Sequence, residues 1–261
     1  MSRVSRMCLR RRNALLRRNR QSPRLAESES SDAGVFYPSR EVSVIVSGVY
    51  PNTDGTERLM DQTGLTIGLA IFGYLLGAVP FGVVISKAMG LPDPRTVGSK
   101  NVGFTNVLRV SGKKAGILTL IGDMGKGWVM GFAATQLLQD ESAILAVALA
   151  PFLGHLFSPF LGFKGGKGVA TALGSVLGVA PLIGLLLLLA WMGAVAIWRY
   201  SSGGALTAFG LFPIIAASLR PTAPFALFSV LVTALIVIKH KGNIERLWKG
   251  TESKMGQGRP S

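Results

Sequence analysis

Ala180 to Trp198 reads APLIGLLLLLAWMGAVAIW, nineteen residues without a charge. As a helix this stretch is ~28 Å long, close to the roughly 30 Å hydrocarbon thickness of a bilayer. Pro221 to Ile238, PTAPFALFSVLVTALIVI, is a second uncharged run. The whole chain is 49% hydrophobic and only 16% charged, where soluble domains average about 25% charged. The expected class is all-α, a polytopic membrane bundle.

Working outward from those two runs, five more apolar segments emerge. The first covers about 65–87 and contains Pro80. The second covers 115–138, the third 143–160, and a short fourth ends near Ala180-Pro181. The run 182–198 is then the fifth, 204–219 the sixth and 223–238 the seventh. Lys and Arg are confined to certain connections. The first, third and fifth hold Arg95, Lys100, Arg109, Lys113, Lys114, Lys164, Lys167 and Arg199. The second and fourth hold none, and the sixth holds only Arg220. The tail beyond Lys239 is basic again. By the positive-inside rule, seven transmembrane helices would place the odd connections and the C-terminus in the cytoplasm. The fourth segment is short, and a re-entrant fourth piece would flip the later sides.

Residues 1–59 carry eleven arginines against six acids and have no long apolar run. They read as a basic N-terminal extension, disordered or not translated, ahead of a membrane domain over 60–261. Met60 stands where a start would be expected. The net charge of +15 is explained by basic residues flanking membrane spans, and no basic face with interleaved aromatics points to nucleic acid. One cysteine, Cys8, excludes an internal disulfide, and two histidines leave no metal-ligand cluster. No metal and no cofactor is expected.

The basic connections have an unusual composition. Val97 to Arg109 reads VGSKNVGFTNVLR. Gly98 and Gly103 allow close backbone approach, Ser99 and Thr105 offer hydroxyls, and Arg109 is a two-pronged phosphate ligand. A capped polar turn would also use these residues. Phe163 to Thr171 reads FKGGKGVAT. It lacks the Walker A spacing, yet Gly165, Gly166, Lys164 and Lys167 before a helix make a second anion-binding candidate. Lysines beside a hinge are the plainer alternative. His240, Asn243 and Arg246 recur three residues apart, on one face of a helix at the membrane boundary. An interfacial cap is the alternative there. Asp123 and Lys126 form a candidate structural pair, and His155 is either a satisfied intramembrane histidine or a functional one. Three basic, glycine-rich segments on one side imply an anion-binding pocket opening onto lipid.

These segments resemble the three motifs of the acyl-phosphate:glycerol-3-phosphate acyltransferase family (PlsY type). The first family motif, G-S-G-N-x-G-A-T-N-x-x-R, is matched by Gly98, Ser99, Asn101, Gly103, Thr105, Asn106 and Arg109. Lys100 stands in place of a glycine and Phe104 in place of alanine. The second is similar to Lys164–Thr171, and the third to His240, Asn243, Ile244, Arg246, Leu247, Gly250 and Glu252. The resemblance spans about 65–256. It implies a bacterial inner-membrane enzyme whose site faces the cytoplasm. Its reaction would move an acyl group from acyl phosphate to the 1-hydroxyl of glycerol 3-phosphate, giving lysophosphatidate and phosphate. It further implies that Ser99 and Thr105 hold the acyl phosphate, that Arg109, Lys167, His240 and Asn243 grip glycerol 3-phosphate, and that Ser202 matches the family serine after Arg-Tyr. Membrane lipids are the expected surroundings. The H-x-x-x-x-D signature of acyl-CoA-dependent glycerolipid enzymes is missing, because Phe160 and Glu245 stand at the aspartate position after each histidine. The alternatives are a transporter of a phosphorylated solute and a non-catalytic scaffold.

Overall fold

The computed structural model describes residues 55–256, with side chains from residue 62 onward. The reading of the N-terminal extension lies outside the described residues up to residue 54. Among the described residues all regular structure is helical. The order is α1 Gly55–Ala78, α2 Phe81–Ala88, α3 Phe104–Leu137, α4 Glu141–Leu156, α5 Val169–Val179, α6 Pro181–Trp198, α7 Ser201–Leu219, α8 Ala223–Lys239 and α9 Lys241–Trp248.

Each of the seven expected apolar segments corresponds to a helix or a bent helix pair. By length and composition alone, α4 with its following 3-10 turn, α6 and α7 suffice to cross a bilayer. The bent pairs α1–α2 and α8–α9, with angles of 46° and 61°, bring that number to five. The first bend sits at Pro80, which has no N–H to continue the helix. The carbonyls freed there are satisfied from neighbouring helices. Ser158 Oγ donates to the Ala78 carbonyl at 2.6 Å, and Lys126 Nζ donates to the Val79 carbonyl at 3.0 Å. Within a bundle, such partners replace the water that is missing from the hydrocarbon region.

Two boundaries differ from the sequence expectation. The first polar connection was expected to run to Lys114, but α3 begins at Phe104 and is interrupted at Gly112, where φ is 89°. Residues 104–111 form two helical turns because Val107 is buried on one side and Gly112 lets the chain redirect without a Cβ penalty. The basic tail also begins as a helix, α9, turned sharply at His240.

The tightest helix pair is α3 with α5, which run parallel through a glycine seam. A Cβ on Gly127 would lie 2.1 Å from the Thr171 carbonyl oxygen, and one on Gly174 would lie 2.0 Å from that of Met124. Gly131 and Gly178 extend the seam by one turn. Both helices thus carry the small-x-x-x-small spacing that lets membrane helices touch backbone to backbone. The register sets Gly127 against Thr171 and Ser175, and Gly131 against Ser175 and Gly178. The eleven residues of α5 therefore begin beside the middle of α3, and the space before α5 is left for loops and a cavity.

At the far end of the bundle, Arg220 Nε donates to Glu141 Oε1 at 2.7 Å and its Nη1 to the Val179 carbonyl at 3.3 Å. The second, fourth and sixth connections therefore meet there. The core between these ends is aliphatic and aromatic, with Phe209, Phe212, Phe225 and Phe228 packed largely edge to face. Gly174→Val should force α3 from α5 and destabilise the fold by about 1–3 kcal/mol, read as a lower apparent Tm in detergent. Gly125→Ala, whose Cβ would meet open space, should leave the Tm unchanged or slightly raised.

Candidate active site

The odd-numbered connections and the C-terminal segment meet at the opposite end from Arg220, around a cavity of about 850 Å³. One part of its wall is polar, with Ser99, Thr105, Arg109, Lys167, His240 and Asn243 among its residues. The other part is apolar and includes Leu120, Met124, Leu173, Leu188, Trp191 and Phe209. Most of the residues singled out in the sequence are thus brought together. Ser99, Asn101, Gly103, Thr105, Asn106, Arg109, Lys167, Ser202, His240, Asn243 and Arg246 all line the cavity. Lys164, Gly165 and Gly166 do not. Lys164 is exposed, while the two glycines pack against α4. Their amides donate to the Leu156 and His155 carbonyls at 3.2 and 3.1 Å.

Asn106 organises the first loop. Its Oδ1 accepts from the Ser99 amide at 2.8 Å, and its Nδ2 donates to the carbonyls of Pro94 and Asn101, each at 2.9 Å. Asn101 Oδ1 accepts from the Gly103 amide at 2.9 Å. These amide side chains are engaged by the loop's own backbone, which curls Ser99 and Thr105 toward the cavity. Thr105 and Ser201 share a hydrogen bond of 2.7 Å, linking the start of α3 to the start of α7. Arg109 has no acidic partner within ion-pair distance among the described residues and faces the cavity with its charge uncompensated.

The third segment is built around Glu252, which was quoted in the sequence motif but not assigned to the site. Its Oε1 accepts from Ser202 Oγ and Asn243 Nδ2, each at 2.6 Å, and its Oε2 accepts from Arg246 Nε at 2.7 Å. Burial works against the carboxylate, but these donors hold its pKa below the usual range. Lys167 Nζ donates to Asn243 Oδ1, so the second and third segments are joined directly. Burial pushes the Lys167 ammonium down to about 8. The Glu252 carboxylate opposes this, and the Arg246 and Arg109 charges reinforce it. His240 is buried and is pushed down to about 4, first by burial and then by the Lys167 charge. It is neutral at physiological pH. Its Nδ1 lies 2.8 Å from the Ile236 carbonyl, which can only accept. The proton therefore sits on Nδ1 and the lone pair on Nε2.

Asp123 and His155 also line the cavity. The expected Asp123–Lys126 pair is present, with Lys126 Nζ 2.9 Å from Asp123 Oδ1 and both side chains buried. His155 joins them, its Nδ1 2.9 Å from Lys126 Nζ. The i,i+3 spacing revealed the first pair, whereas only packing of α4 on α3 supplies the histidine.

Lys100 adopts φ 58°, in the left-handed region that glycine enters freely. The site where the family motif has glycine thus keeps a glycine-like backbone under a lysine. Lys100→Gly should relieve strain worth about 1 kcal/mol, partly offset by the greater freedom of glycine in the unfolded chain. The expected outcome is an apparent Tm equal to or slightly above that of the parent; a fall of several degrees would contradict this account of the loop.

The family model described as glycerol-3-phosphate acyltransferase matches residues 67–250. A glycerol-3-phosphate acyltransferase of Methylococcus capsulatus is 48% identical over 185 residues, covering 71% of this chain and 93% of the relative. One from a Jannaschia species is 47% identical over 201 residues, covering 76% and 98%. Among solved structures, the crystal structure of PlsY (YgiH), an integral membrane glycerol 3-phosphate acyltransferase, in its glycerol 3-phosphate form superposes with a TM-score of 0.69. The two are 40% identical, over 73% of this chain and 96% of that one. Its lysophosphatidic acid form gives 0.67 at 38% identity, over 73% and 95%. Motifs, fold and cavity agree with these matches, and the chain belongs to the glycerol-3-phosphate acyltransferase family.

Proposed function

We propose that the chain is a bacterial inner-membrane acyltransferase that moves a fatty acyl group from acyl phosphate to the 1-hydroxyl of glycerol 3-phosphate. The observation that carries this is the two-part cavity. Its basic end, with Arg109, Lys167 and Arg246, suits phosphate groups, and its apolar wall, with Leu120, Leu188, Trp191 and Phe209, suits an acyl chain. A donor that is both anionic and lipidic matches that division. The family names and the glycerol 3-phosphate and lysophosphatidic acid forms of PlsY support the acceptor and the product. The odd connections and the C-terminus carry most of the Lys and Arg and surround the cavity. This supports seven passes with the site toward the cytoplasm.

In the reaction the acceptor's 1-hydroxyl oxygen bonds to the acyl carbonyl carbon, and the carbonyl carbon–oxygen bond to phosphate breaks. The products are lysophosphatidate and inorganic phosphate. Phosphate is a good leaving group, so the protein need not form a covalent intermediate. Its work is to hold two anions against their repulsion and to offset charge on the leaving phosphate and the tetrahedral oxyanion. Ser99 and Thr105 receive the acyl phosphate. Arg109, Lys167, Asn243 and neutral His240 receive glycerol 3-phosphate. With a pKa of about 4, His240 is a weak base, and its Nε2 is suited to accepting a hydrogen bond from the hydroxyl. The proton then passes to a phosphate oxygen, since phosphate monoesters have a second pKa of about 6.

Purified protein supplied with acyl phosphate and glycerol 3-phosphate should release lysophosphatidate and phosphate in equal amounts. Absence of that product would overturn the function. Lys167→Ala should lower kcat/KM about 100-fold or more, as loss of a positioned charge does. The pH profile follows from the same lysine. Its charge is present below about pH 8 and lost above it, so kcat/KM for glycerol 3-phosphate should fall on the alkaline side. Lys167→Arg should remove that alkaline limb, even at reduced activity. His240 should contribute no limb between pH 5 and 8, because it is already neutral there.

A further inference from the structure

We propose that the buried Asp123–Lys126–His155 cluster is the positioning unit of the Lys167 phosphate site, an inference that rests on the function proposed above. None of its three side chains belongs to the motif segments, and each is buried. Membrane interiors rarely hold three such groups without a use for them.

The geometry gives the use. Lys126 Nζ is fixed by three groups: Asp123 Oδ1 at 2.9 Å, His155 Nδ1 at 2.9 Å and the Val79 carbonyl at 3.0 Å. It thereby joins the α1–α2 break, α3 and α4 at one point. The His155 ring is clamped on its Nδ1 side by Lys126. On its other side it meets the second motif. A Cβ on Gly166 would lie 2.2 Å from His155 Nε2, and one on Gly165 would lie 1.9 Å from the His155 carbonyl oxygen. The Gly166 amide donates to that same carbonyl. The histidine therefore supplies both the ring against which the Gly165–Gly166 turn lies and the acceptor that pins it. Lys167 is the next residue in the chain. The two glycines thus owe their place to the histidine rather than to the ligand, and the cluster sets the depth and direction of the Lys167 ammonium.

The test measures glycerol 3-phosphate affinity by calorimetry alongside steady-state kinetics, on detergent-purified full chain checked for monodispersity. His155→Ala should weaken glycerol 3-phosphate binding and raise its KM about tenfold or more, as small misplacements of a positioning group do. The KM for acyl phosphate should change little. Gly166→Ala should do the same by striking the ring. The double variant H155A/G166A should be no worse than the weaker single, because removing the ring removes the clash. This non-additivity is the signature of direct contact. His155→Asn, which keeps an acceptor for Lys126, carries the comparison if His155→Ala does not yield folded protein.

A merely structural role would reduce the amount of folded protein and leave the KM for glycerol 3-phosphate unmoved in what remains. That result, or independent multiplication of the two single effects, overturns the proposal. Parent protein that binds glycerol 3-phosphate in a His155-dependent way but makes no lysophosphatidate would overturn the function while sustaining the positioning role. Parent protein that binds no glycerol 3-phosphate overturns both.

Discussion

The backbone contact between α3 and α5 governs the rest of the molecule. Four glycines let the two helices approach until carbonyls stand where Cβ atoms would be. That closeness fixes their register, and the register sets the start of α5 beside the middle of α3. Because α5 has only eleven residues, the segment leading into it must descend into the bundle. Lys167 is consequently half-buried rather than displayed at the surface. Its lowered pKa, its bond to Asn243 and the existence of the cavity all follow from the depth at which α5 begins.

A charged loop carried into a low-dielectric bundle needs compensation, and each site group has some. Glu252 takes hydrogen bonds from Ser202, Asn243 and Arg246, so one carboxylate ties the C-terminal segment to α7 and α9. Lys126 is matched by Asp123, His155 and a carbonyl freed by Pro80. Among the described residues neither Arg109 nor Lys167 has a carboxylate within ion-pair distance, although Lys167 is hydrogen-bonded to Asn243. Pairing most of these groups in advance would limit reorganisation on the proposed binding of a phosphate, which is the physical requirement for electrostatic stabilisation.

The helical class was legible from the uncharged runs, because a bilayer demands about twenty apolar residues per crossing and the backbone must satisfy itself. Grouping of the three polar segments was legible too, since the Lys and Arg of the connections fall almost entirely in alternate ones, Arg220 being the exception. Within the segments, legibility varied. Glycine, hydroxyl and guanidinium side chains marked the first motif as a candidate anion site, but composition could not show that Asn106 serves the loop's backbone. The start of α3 was hidden, since the stretch from Phe104 to Ser111, with Gly103 before it and Gly112 after it, reads as loop until Val107 is seen to be buried. Gly165 and Gly166 read as ligand-facing, whereas they face His155.

The sequence by itself determined the helical membrane architecture, the side on which the charges gather and, through three ordered motifs, the family. Those properties depend on local composition and on spacing along one helix or loop, which a linear chain displays directly. Only the tertiary structure decided that His155 completes the Asp123–Lys126 pair, that Glu252 gathers Ser202, Asn243 and Arg246, and that Lys167 lies deep enough to lose part of its basicity. Each of those depends on contacts between residues 29 to 85 positions apart, or on burial that such contacts create, except for the short closures from Asn243 and Arg246 to Glu252. Such contacts are set by how closely helices pack, and a one-dimensional pattern carries no record of that distance.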